Sequence, residues 1–141
     1  MASKLSALID LNILLDVLQK CEPFFETSAS LLAAVETGKV RGYVAAHSIT
    51  TLFYLIQKGK SSAEARATIT NLLQFLKIAP LDQSTIEQAL NLDIRDFEDA
   101  IQMISAVQCK VDCLVTRNTK NYPSALLPVI QPVDFLSTLA E

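Results

Sequence analysis

Glycine is scarce in this sequence, and its spacing argues against the common nucleotide-binding loops. The chain of 141 residues contains three glycines, Gly38, Gly42 and Gly59. These positions form neither the GxGxxG pattern of dinucleotide-binding folds nor the GxxxxGK pattern of phosphate-binding loops. We therefore do not expect nucleotide binding through either loop.

Cysteine and histidine are too few to build a structural zinc site. Cys21, Cys109 and Cys113 are odd in number and lack the spacing of a zinc site or a disulfide framework. We expect these cysteines to be reduced and buried. The single histidine, His47, has no evident acid partner in the sequence, so we interpret it as a strand-end residue rather than a catalytic base.

The chain also lacks long hydrophobic runs and an excess of positive charge. The opening MASKLSALID has no continuous apolar run of the signal-peptide kind, and no stretch approaches the length of a membrane span. We therefore expect a cytoplasmic protein that does not enter a membrane. The formal net charge of -3 provides no long-range attraction to nucleic acid, although it leaves room for a local basic patch.

What the sequence does contain is typical of one globular domain. Half of its residues are hydrophobic and 19% are charged. No repeat, linker or low-complexity segment divides the chain, so we predict a single domain over residues 1–141.

Short apolar runs alternate with segments of helical periodicity along the whole chain. Strands are predicted at residues 5–10, 41–46, 77–82, 111–118 and 129–133. Helices are predicted at residues 14–20, 24–37, 48–59, 61–76, 84–92 and 96–107, and a last helix ends the chain. Their predicted N-terminal caps include Ser48, Ser61 with Glu64, and Ser84 with Glu87. The alternation indicates an α/β fold in three layers, α/β/α, with a mainly parallel central sheet of about five strands.

Polar residues cluster where predicted strands end or the following helices begin. Asp10 ends the first strand, Asp96 and Asp99 open the helix DFEDAIQMISAV, and Arg117 and Asn118 follow the fourth strand. Open parallel sheets bind ligands at the carboxyl ends of their strands, so we expect these residues to form a site. Acids three positions apart share a helix face, near the positive end of the helix dipole.

A structural interpretation of the same acids is also open. Asp96 suits the N-cap of its helix, and the first helical turn favours an acid such as Asp99 in any case. Asp10, followed closely by Asn12, could form an Asx turn, although its place at a strand end favours a role in a site.

Four segments in this order resemble a PIN domain over nearly the whole chain: LIDLNILLDVL, AAHSITTLFYLIQK, DFEDAIQMISAV and LVTRNTKNY. They are most similar to a bacterial branch with DFEDA and TRN motifs, related to the ribonuclease toxins of toxin-antitoxin pairs. The resemblance implies the PIN-like α/β/α fold and a carboxylate pocket that binds Mg²⁺ or Mn²⁺ for hydrolysis of RNA phosphodiester bonds. It implies that Asp10, Asp96 and Asp99 are both the metal ligands and the catalytic acids.

The resemblance also implies supporting residues and partners. Asn12, Asp16, Ser48 and Asn118 would support the site. Arg117 and Lys120 would contact phosphates of the substrate, which would be single-stranded RNA. A homodimer and an antitoxin protein are the expected partners, and the run Leu52, Phe53, Leu55 and Ile56 offers apolar surface for a dimer.

Two departures from the family pattern bear on activity. Thr51 stands where family members commonly carry a glutamate, and Asn118 and Asn121 occupy the two places of an acid in TRD or TRNxxD. Because each lost carboxylate removes a negative charge from the site, we expect weak metal binding. Two functions therefore stay open. The chain is either a metal-dependent ribonuclease with a depleted acidic site, or a catalytically degenerate PIN domain that binds RNA or protein without cutting.

Overall fold

The computed structural model describes residues 4–123 and 126–140. In these ranges the chain forms five strands, seven α-helices and a short 3-10 helix, with two α-helices after each of the first three strands. The strands are β1 (Leu5–Ile9), β2 (Val40–Ala45), β3 (Leu76–Ala79), β4 (Cys113–Val115) and β5 (Val129–Ile130). The α-helices are α1 (Leu11–Leu18), α2 (Phe25–Glu36), α3 (Ala46–Gly59), α4 (Ser62–Leu72), α5 (Gln83–Leu90), α6 (Phe97–Cys109) and α7 (Pro132–Leu139). The 3-10 helix is η1 (Thr119–Asn121).

All five strands are parallel and lie in the order β3-β2-β1-β4-β5. In the centre, Leu8 of β1 pairs with Tyr43 of β2 on one side and Leu114 of β4 on the other. The predicted α/β fold with a five-stranded parallel sheet is therefore confirmed. The chain extends the sheet from β1 through β2 to β3, and then crosses to the other side of β1. This change of direction creates a crevice at the carboxyl ends of β1 and β4, the usual place of a ligand in such sheets.

The sheet is covered by helices on both faces, and successive residues of β1 belong to different cores. Ala7 and Ile9 pack in a cluster with residues of α1, α2, α3 and α7. Leu8 packs in a second cluster with Met103 and Ala106 of α6. Burial of both faces explains why β1 reads as a continuous apolar run rather than an alternating one.

Close packing of α2 against β2 requires glycine at one position. A β-carbon at Gly42 would lie 2.7 Å from Cγ1 of Val35 and 3.0 Å from Cδ2 of Leu76. Gly38 is the second constrained glycine, because it ends α2 with a φ angle of +85° that L-residues rarely adopt.

Several predicted helix boundaries are wrong, each for a local reason. Helix α3 begins at Ala46, so Ser48 lies inside the helix and is not its N-cap. Helix α4 does begin at the predicted cap, where Ser61 accepts a hydrogen bond from the backbone N–H of Glu64, but it ends at Leu72 instead of residue 76. Helix α5 is capped by Asp82 and not by Ser84.

The cap of α5 is a reciprocal capping box two residues earlier than predicted. The Asp82 side chain accepts from the Thr85 backbone, and the Thr85 hydroxyl accepts from the Asp82 backbone. Asp82 with Thr85 was therefore a better indication of the helix start than Ser84 with Glu87.

The cysteines and the hydrophobic helices complete the comparison with the sequence. All three cysteines are free, but only Cys113 is fully buried, while Cys21 and Cys109 are half-buried. Across residues 4–123 and 126–140, no helix is long and apolar enough to cross a membrane.

Candidate active site

A cavity of about 170 Å³ opens at the carboxyl end of β1, between α3 and the start of α6. It collects five residues of the sequence-predicted site: Asp10, Asn12, Ser48, Asp96 and Asp99. The other residues around it are Leu11, His47, Thr51, Glu98 and Gln102. We call this space the acidic cavity, because four carboxylates line it.

Asp10 enters the acidic cavity from the central strand. Its backbone N–H continues the sheet by donating to the Val115 carbonyl at 3.1 Å. Its side chain is only 8% exposed, and Oδ2 accepts a hydrogen bond of 2.7 Å from the buried Thr116 hydroxyl. The two residues that follow β1 and β4 are thus joined, which fixes one oxygen of Asp10 in the crevice between these strands.

Asp99 reaches the same cavity from the first turn of α6. Its Oδ1 accepts a hydrogen bond of 2.9 Å from the Tyr122 hydroxyl, which comes from the segment after η1. Gln102, one turn further along α6, is buried and donates from Nε2 to the Tyr122 oxygen at 2.7 Å. The same nitrogen lies 3.5 Å from Oδ1 of Asp10, at the outer limit for a hydrogen bond.

Asp96 has a structural role and a place in the site at once. It is the N-cap of α6, where Oδ1 accepts from the backbone N–H of Asp99 at 3.1 Å. It also lines the acidic cavity. The structural interpretation of Asp96 is therefore correct, and its role as a metal ligand stays a prediction.

Burial, together with the neighbouring carboxylates, shifts the pKa of two groups in the site, Asp99 and Tyr122. Burial, followed by the charges of Asp96, Asp10 and Glu98, raises the pKa of Asp99, against the lowering effect of the Tyr122 hydrogen bond. Burial also raises the pKa of the Tyr122 phenol, so that it stays protonated and available as a donor. Metal-free, the cavity therefore holds negative charge at a cost to the folded state.

His47 belongs to the acidic cavity, although the sequence did not indicate this. It lies in the first turn of α3 rather than at a strand end. Burial lowers the pKa of His47, and the charges of Glu98, Asp99, Asp10 and Asp96 oppose this effect. Within the described residues its Nδ1 is buried without a hydrogen-bond partner.

Asp16 and Arg117 lie outside the acidic cavity and bind each other. Arg117 Nη2 lies 3.1 Å from Oδ1 of Asp16, and Nε lies 3.0 Å from Oδ2. Ser28 donates to the same carboxylate at 3.0 Å, and the guanidinium lies 3.9 Å from the ring centroid of Phe24. Arg117 is thus oriented by several contacts and keeps an accessible side, because 27% of its side chain is exposed.

The two asparagines that replace the family acid have different positions. Asn118 lines a second cavity, of about 420 Å³, together with Phe24 and Arg117. Asn121 instead borders a shallow cavity with Asp96 and Asp99, which makes it the asparagine nearer to the acids. Lys120 lies between them in η1 and is exposed. Thr51 lines the acidic cavity, at the place where the resemblance expected a glutamate.

The donor set of the acidic cavity suits a hard divalent cation, within limits. Carboxylate oxygens are the ligands that Mg²⁺ and Mn²⁺ prefer, and Mg²⁺ often uses one or two of them with waters and phosphate oxygens. Asp10 and Asp99, connected through Gln102 and Tyr122, provide such a pair. In the described part of the chain, no group of three His, Cys, Asp or Glu side chains is arranged to hold a metal ion. The residues therefore fit an open site with few protein ligands.

Sequence reasoning missed Gln102, Thr116 and Tyr122. A signal existed for Gln102, since it is a polar residue in a helix that is mostly apolar at its centre, three positions after Asp99. Thr116 directly follows a buried strand next to the one that ends at Asp10. Tyr122 gave no local signal, because its contact with Asp99 depends on the path of the chain after β4.

Comparison with known proteins places these observations in a wider context. A family model described as PIN domain matches residues 6–120. No curated protein matches the sequence. The VapBC2 complex of Rickettsia felis, bound to a promoter DNA fragment, has a chain similar in structure with a TM-score of 0.68 at 16% identity. That match covers 90% of this chain and 98% of the other.

Two further solved structures share the fold. A toxin-antitoxin complex from Klebsiella pneumoniae matches with a TM-score of 0.68 at 22% identity, covering 89% of this chain and 97% of the other. The Mycobacterium tuberculosis toxin VapC20, described as cleaving the sarcin-ricin loop, matches with a TM-score of 0.61 at 13% identity. It covers 85% of this chain and 92% of its own. At these identities the likeness concerns the fold.

Proposed function

Since the chain belongs to the PIN domain family, we propose that it is a Mg²⁺- or Mn²⁺-dependent ribonuclease that hydrolyses single-stranded RNA. Its proposed active site has fewer acidic residues than the family pattern. The observation that carries this proposal is the convergence of Asp10, Asp96 and Asp99 on one cavity at the crevice between β1 and β4. Asp10 comes from a part of the sequence distant from Asp96 and Asp99, and none of the three acids packs in the apolar clusters on the sheet. A cavity that concentrates like charges is unfavourable for folding unless a cation occupies it, which favours function as the reason for their presence.

In this proposal the chain supplies ligands, orientation and substrate contacts. Because no three acids of the described residues are arranged as a ready metal group, Asp10 and Asp99 are the principal ligands. Asp96 has a lesser role, through the oxygen that does not cap α6. Asn12 and Ser48 line the same cavity as supporting residues. A bound divalent cation supplies charge neutralisation for the phosphodiester and lowers the pKa of the attacking water.

Substrate contacts are proposed outside the acidic cavity. Arg117 is held by Asp16 and Phe24 with part of its side chain exposed, and Lys120 is exposed on η1. Both lie in the segment that follows Thr116, which binds Asp10. Asn118 donates its backbone N–H to the Thr116 hydroxyl at 3.1 Å and so connects this segment to the cavity. We assign Arg117 and Lys120 to the phosphates of the RNA strand, with Asp16 and Asn118 as supporting residues.

The test is cleavage of a pool of labelled single-stranded RNAs with Mn²⁺, with Mg²⁺ and with EDTA. We expect cleavage that requires metal and is lost in an Asp10→Ala, Asp99→Asn double mutant. The exposed Asp93 lies outside the acidic cavity, so Asp93→Asn is the matched control and should cleave as the wild type does. Cleavage that persists in the double mutant would indicate contamination and would argue against the proposal.

A second candidate function is a catalytically degenerate PIN domain that binds RNA or protein. Two observations favour it, namely Thr51 and Asn121 at the places of family acids and the lack of a three-ligand metal group among the described residues. Under this alternative the protein would bind RNA with an affinity that does not depend on divalent metal. Metal-independent binding without cleavage in the same assay would favour the binding module.

Two partners are proposed, the first by analogy with the matched structures, which include toxin-antitoxin complexes, and the second from the apolar side chains of α3. The first is an antitoxin protein, and the second is another copy of the chain. Leu52 is fully buried and cannot contribute to a dimer surface, while Phe53, Leu55 and Ile56 stay partly exposed on α3. Light scattering of the purified protein measures the oligomeric state directly. An RNA-cleaving role would place the protein with its substrate in the cytoplasm.

A further inference from the structure

Tyr122 connects the segment after β4 to the acids of the cavity. It is 7% exposed, and its hydroxyl is the only polar atom of a side chain that otherwise packs with the apolar cluster around Leu8 and Met103. Burying a hydroxyl without partners is costly, and here it has two, Asp99 and Gln102. The position of the ring therefore fixes where the hydroxyl lies.

The direction of these hydrogen bonds follows from the chemistry of the groups. A carboxylate can only accept, so the Tyr122 hydroxyl donates to Oδ1 of Asp99. Its oxygen is then free to accept from Nε2 of Gln102 at 2.7 Å. The second hydrogen of the same amide nitrogen is available for Oδ1 of Asp10 at 3.5 Å. Gln102 and Tyr122 thus link the two acids through neutral donors.

Uncharged hydrogen-bond donors leave the negative charge of a metal-binding carboxylate intact. An arginine or lysine in this place would cancel the charge of a carboxylate and compete with a cation. Tyr122 and Gln102 leave the charges of Asp99 and Asp10 intact and occupy only one oxygen of Asp99. Within the described residues no donor reaches the other oxygen, Oδ2, of Asp99. Hydrogen bonds of this kind orient ligands and keep their remaining lone pairs aimed at the metal.

We propose that Gln102 and Tyr122 are positioning residues that hold Asp99 and Asp10 in the geometry of a divalent-metal site. This inference rests on the proposed function. It assigns a role to the segment that carries Asn118 and Asn121 in place of an acid. That segment contributes a hydrogen-bond donor to an existing ligand instead of a ligand of its own.

The experiment is a titration of the full chain with Mn²⁺. Binding is measured by calorimetry and by the electron paramagnetic resonance signal of free Mn²⁺. Tyr122→Phe removes the hydroxyl and keeps the ring. Because loss of a partner of a metal ligand typically weakens affinity about 10- to 100-fold, we expect a loss of about tenfold. Tyr43→Phe is the matched control, since Tyr43 is a half-buried tyrosine of β2 that packs against the same cluster and does not line the acidic cavity. It should bind Mn²⁺ as the wild type does.

A double-mutant comparison separates positioning from a general structural role. In an Asp99→Asn background the hydroxyl has no charged ligand to orient, so adding Tyr122→Phe should weaken Mn²⁺ binding by less than about twofold. An equal loss in both backgrounds would show that Tyr122 acts on the fold and not through Asp99. Gln102→Leu provides a second variant with the same expectation, in case the phenylalanine variant folds poorly.

The outcomes distinguish this inference from the proposed function. Wild-type binding that Asp99→Asn weakens and Tyr122→Phe leaves unchanged would overturn the positioning role alone. Wild-type protein that binds no Mn²⁺ at millimolar concentration would overturn both. Weaker binding in Tyr122→Phe with normal binding in Tyr43→Phe would support the positioning role, whether or not RNA is cleaved.

Discussion

Arg117 and Asp16 form a two-point ion pair although 101 positions separate them in the sequence, with nitrogen-oxygen distances of 3.1 and 3.0 Å. Asp16 lies on α1 and Arg117 just after β4, so the pair connects the helix that follows the central strand with the segment that follows its neighbour β4. The Asp16 side chain is 2% exposed, and its charge therefore depends on Arg117 and Ser28 for compensation.

Arg117→Ala should destabilise the protein, because it leaves the Asp16 carboxylate buried with only Ser28 as a partner. We expect a loss of about 2 kcal/mol, less than for a fully buried pair, since Arg117 is partly exposed. Lys120→Ala, in the same segment but exposed, should change stability by less than about 0.5 kcal/mol. Urea denaturation of the three proteins measures both values. Equal stability of Arg117→Ala and wild type would mean that the pair contributes nothing in solution.

Thr51→Glu should strengthen metal binding, because it adds a carboxylate to the wall of the acidic cavity. Affinity for divalent cations rises with the number of charged ligands, and we expect a gain of about tenfold for Mn²⁺. The neighbouring Thr50 is exposed and lies outside the cavity, so Thr50→Glu controls for net charge. A rise in melting temperature with Mn²⁺ is a convenient readout. If both variants gained equally, the effect would be one of overall charge and the assignment of Thr51 would be wrong.

Substitutions of Asp96 can separate its cap from its charge. Asparagine is as good an N-cap as aspartate, so Asp96→Asn should keep the stability of α6 and weaken Mn²⁺ binding. Asp96→Ala removes the hydrogen bond to the Asp99 backbone as well, and should cost about 1 kcal/mol of stability in addition. Thermal unfolding with and without Mn²⁺ reports both quantities. Normal metal binding in Asp96→Asn would restrict Asp96 to its capping role.

Asp99→Asn should stabilise the metal-free protein at neutral pH. Burial and the neighbouring acids raise the pKa of Asp99 above its ordinary value of 3.8. Between pH 3.8 and the raised pKa, the folded state binds more protons at Asp99 than the unfolded state does. The free energy of unfolding therefore decreases as the pH rises through this range. Asparagine does not ionise, so the variant avoids this loss. The difference in free energy of unfolding between Asp99→Asn and wild type should be largest above the raised pKa and disappear below pH 3.8.

The measurement for Asp99→Asn is the melting temperature in EDTA over a pH series, compared with wild type. Saturating Mn²⁺ should reverse the order of stability, because only the wild type gains binding energy from the cation. A variant less stable than wild type at neutral pH in EDTA would show that the carboxylate stabilises the fold even without metal.

The sequence was sufficient for the fold because each core element has a strong local pattern. Strand β1 is a short apolar run ended by Asp10, and α6 carries acids at its start and apolar residues at its centre. Both were located within a few residues. The predicted starts of α3 and α5 were wrong because Ser48 and Ser84 are good caps in isolation, whereas α3 begins at Ala46 and Asp82 forms the capping box of α5.

Candidate site residues could be predicted from the sequence only where they lie near the end of a strand or the start of a helix. Asp10, Asp96 and Asp99 were identified in this way, and the structure brings them together. Asp16 is an acid of the same kind, but it lies outside the acidic cavity, where it binds Arg117 from the segment after β4. Tyr122 lies beyond such reasoning, since nothing in the sequence around it shows that a short 3-10 turn will direct its ring towards α6.

The carboxylates of the acidic cavity lie at the edge of the sheet, apart from the apolar packing that stabilises the fold. The two apolar clusters lie on the faces of the sheet, and the acids lie beyond the strand ends. Removal of one charge from a cavity of like charges relieves repulsion and leaves the clusters untouched. Neutral residues can therefore replace acids around the cavity without loss of the apolar packing that stabilises the fold. Thr51 and Asn121, which border the acids, are two such neutral residues.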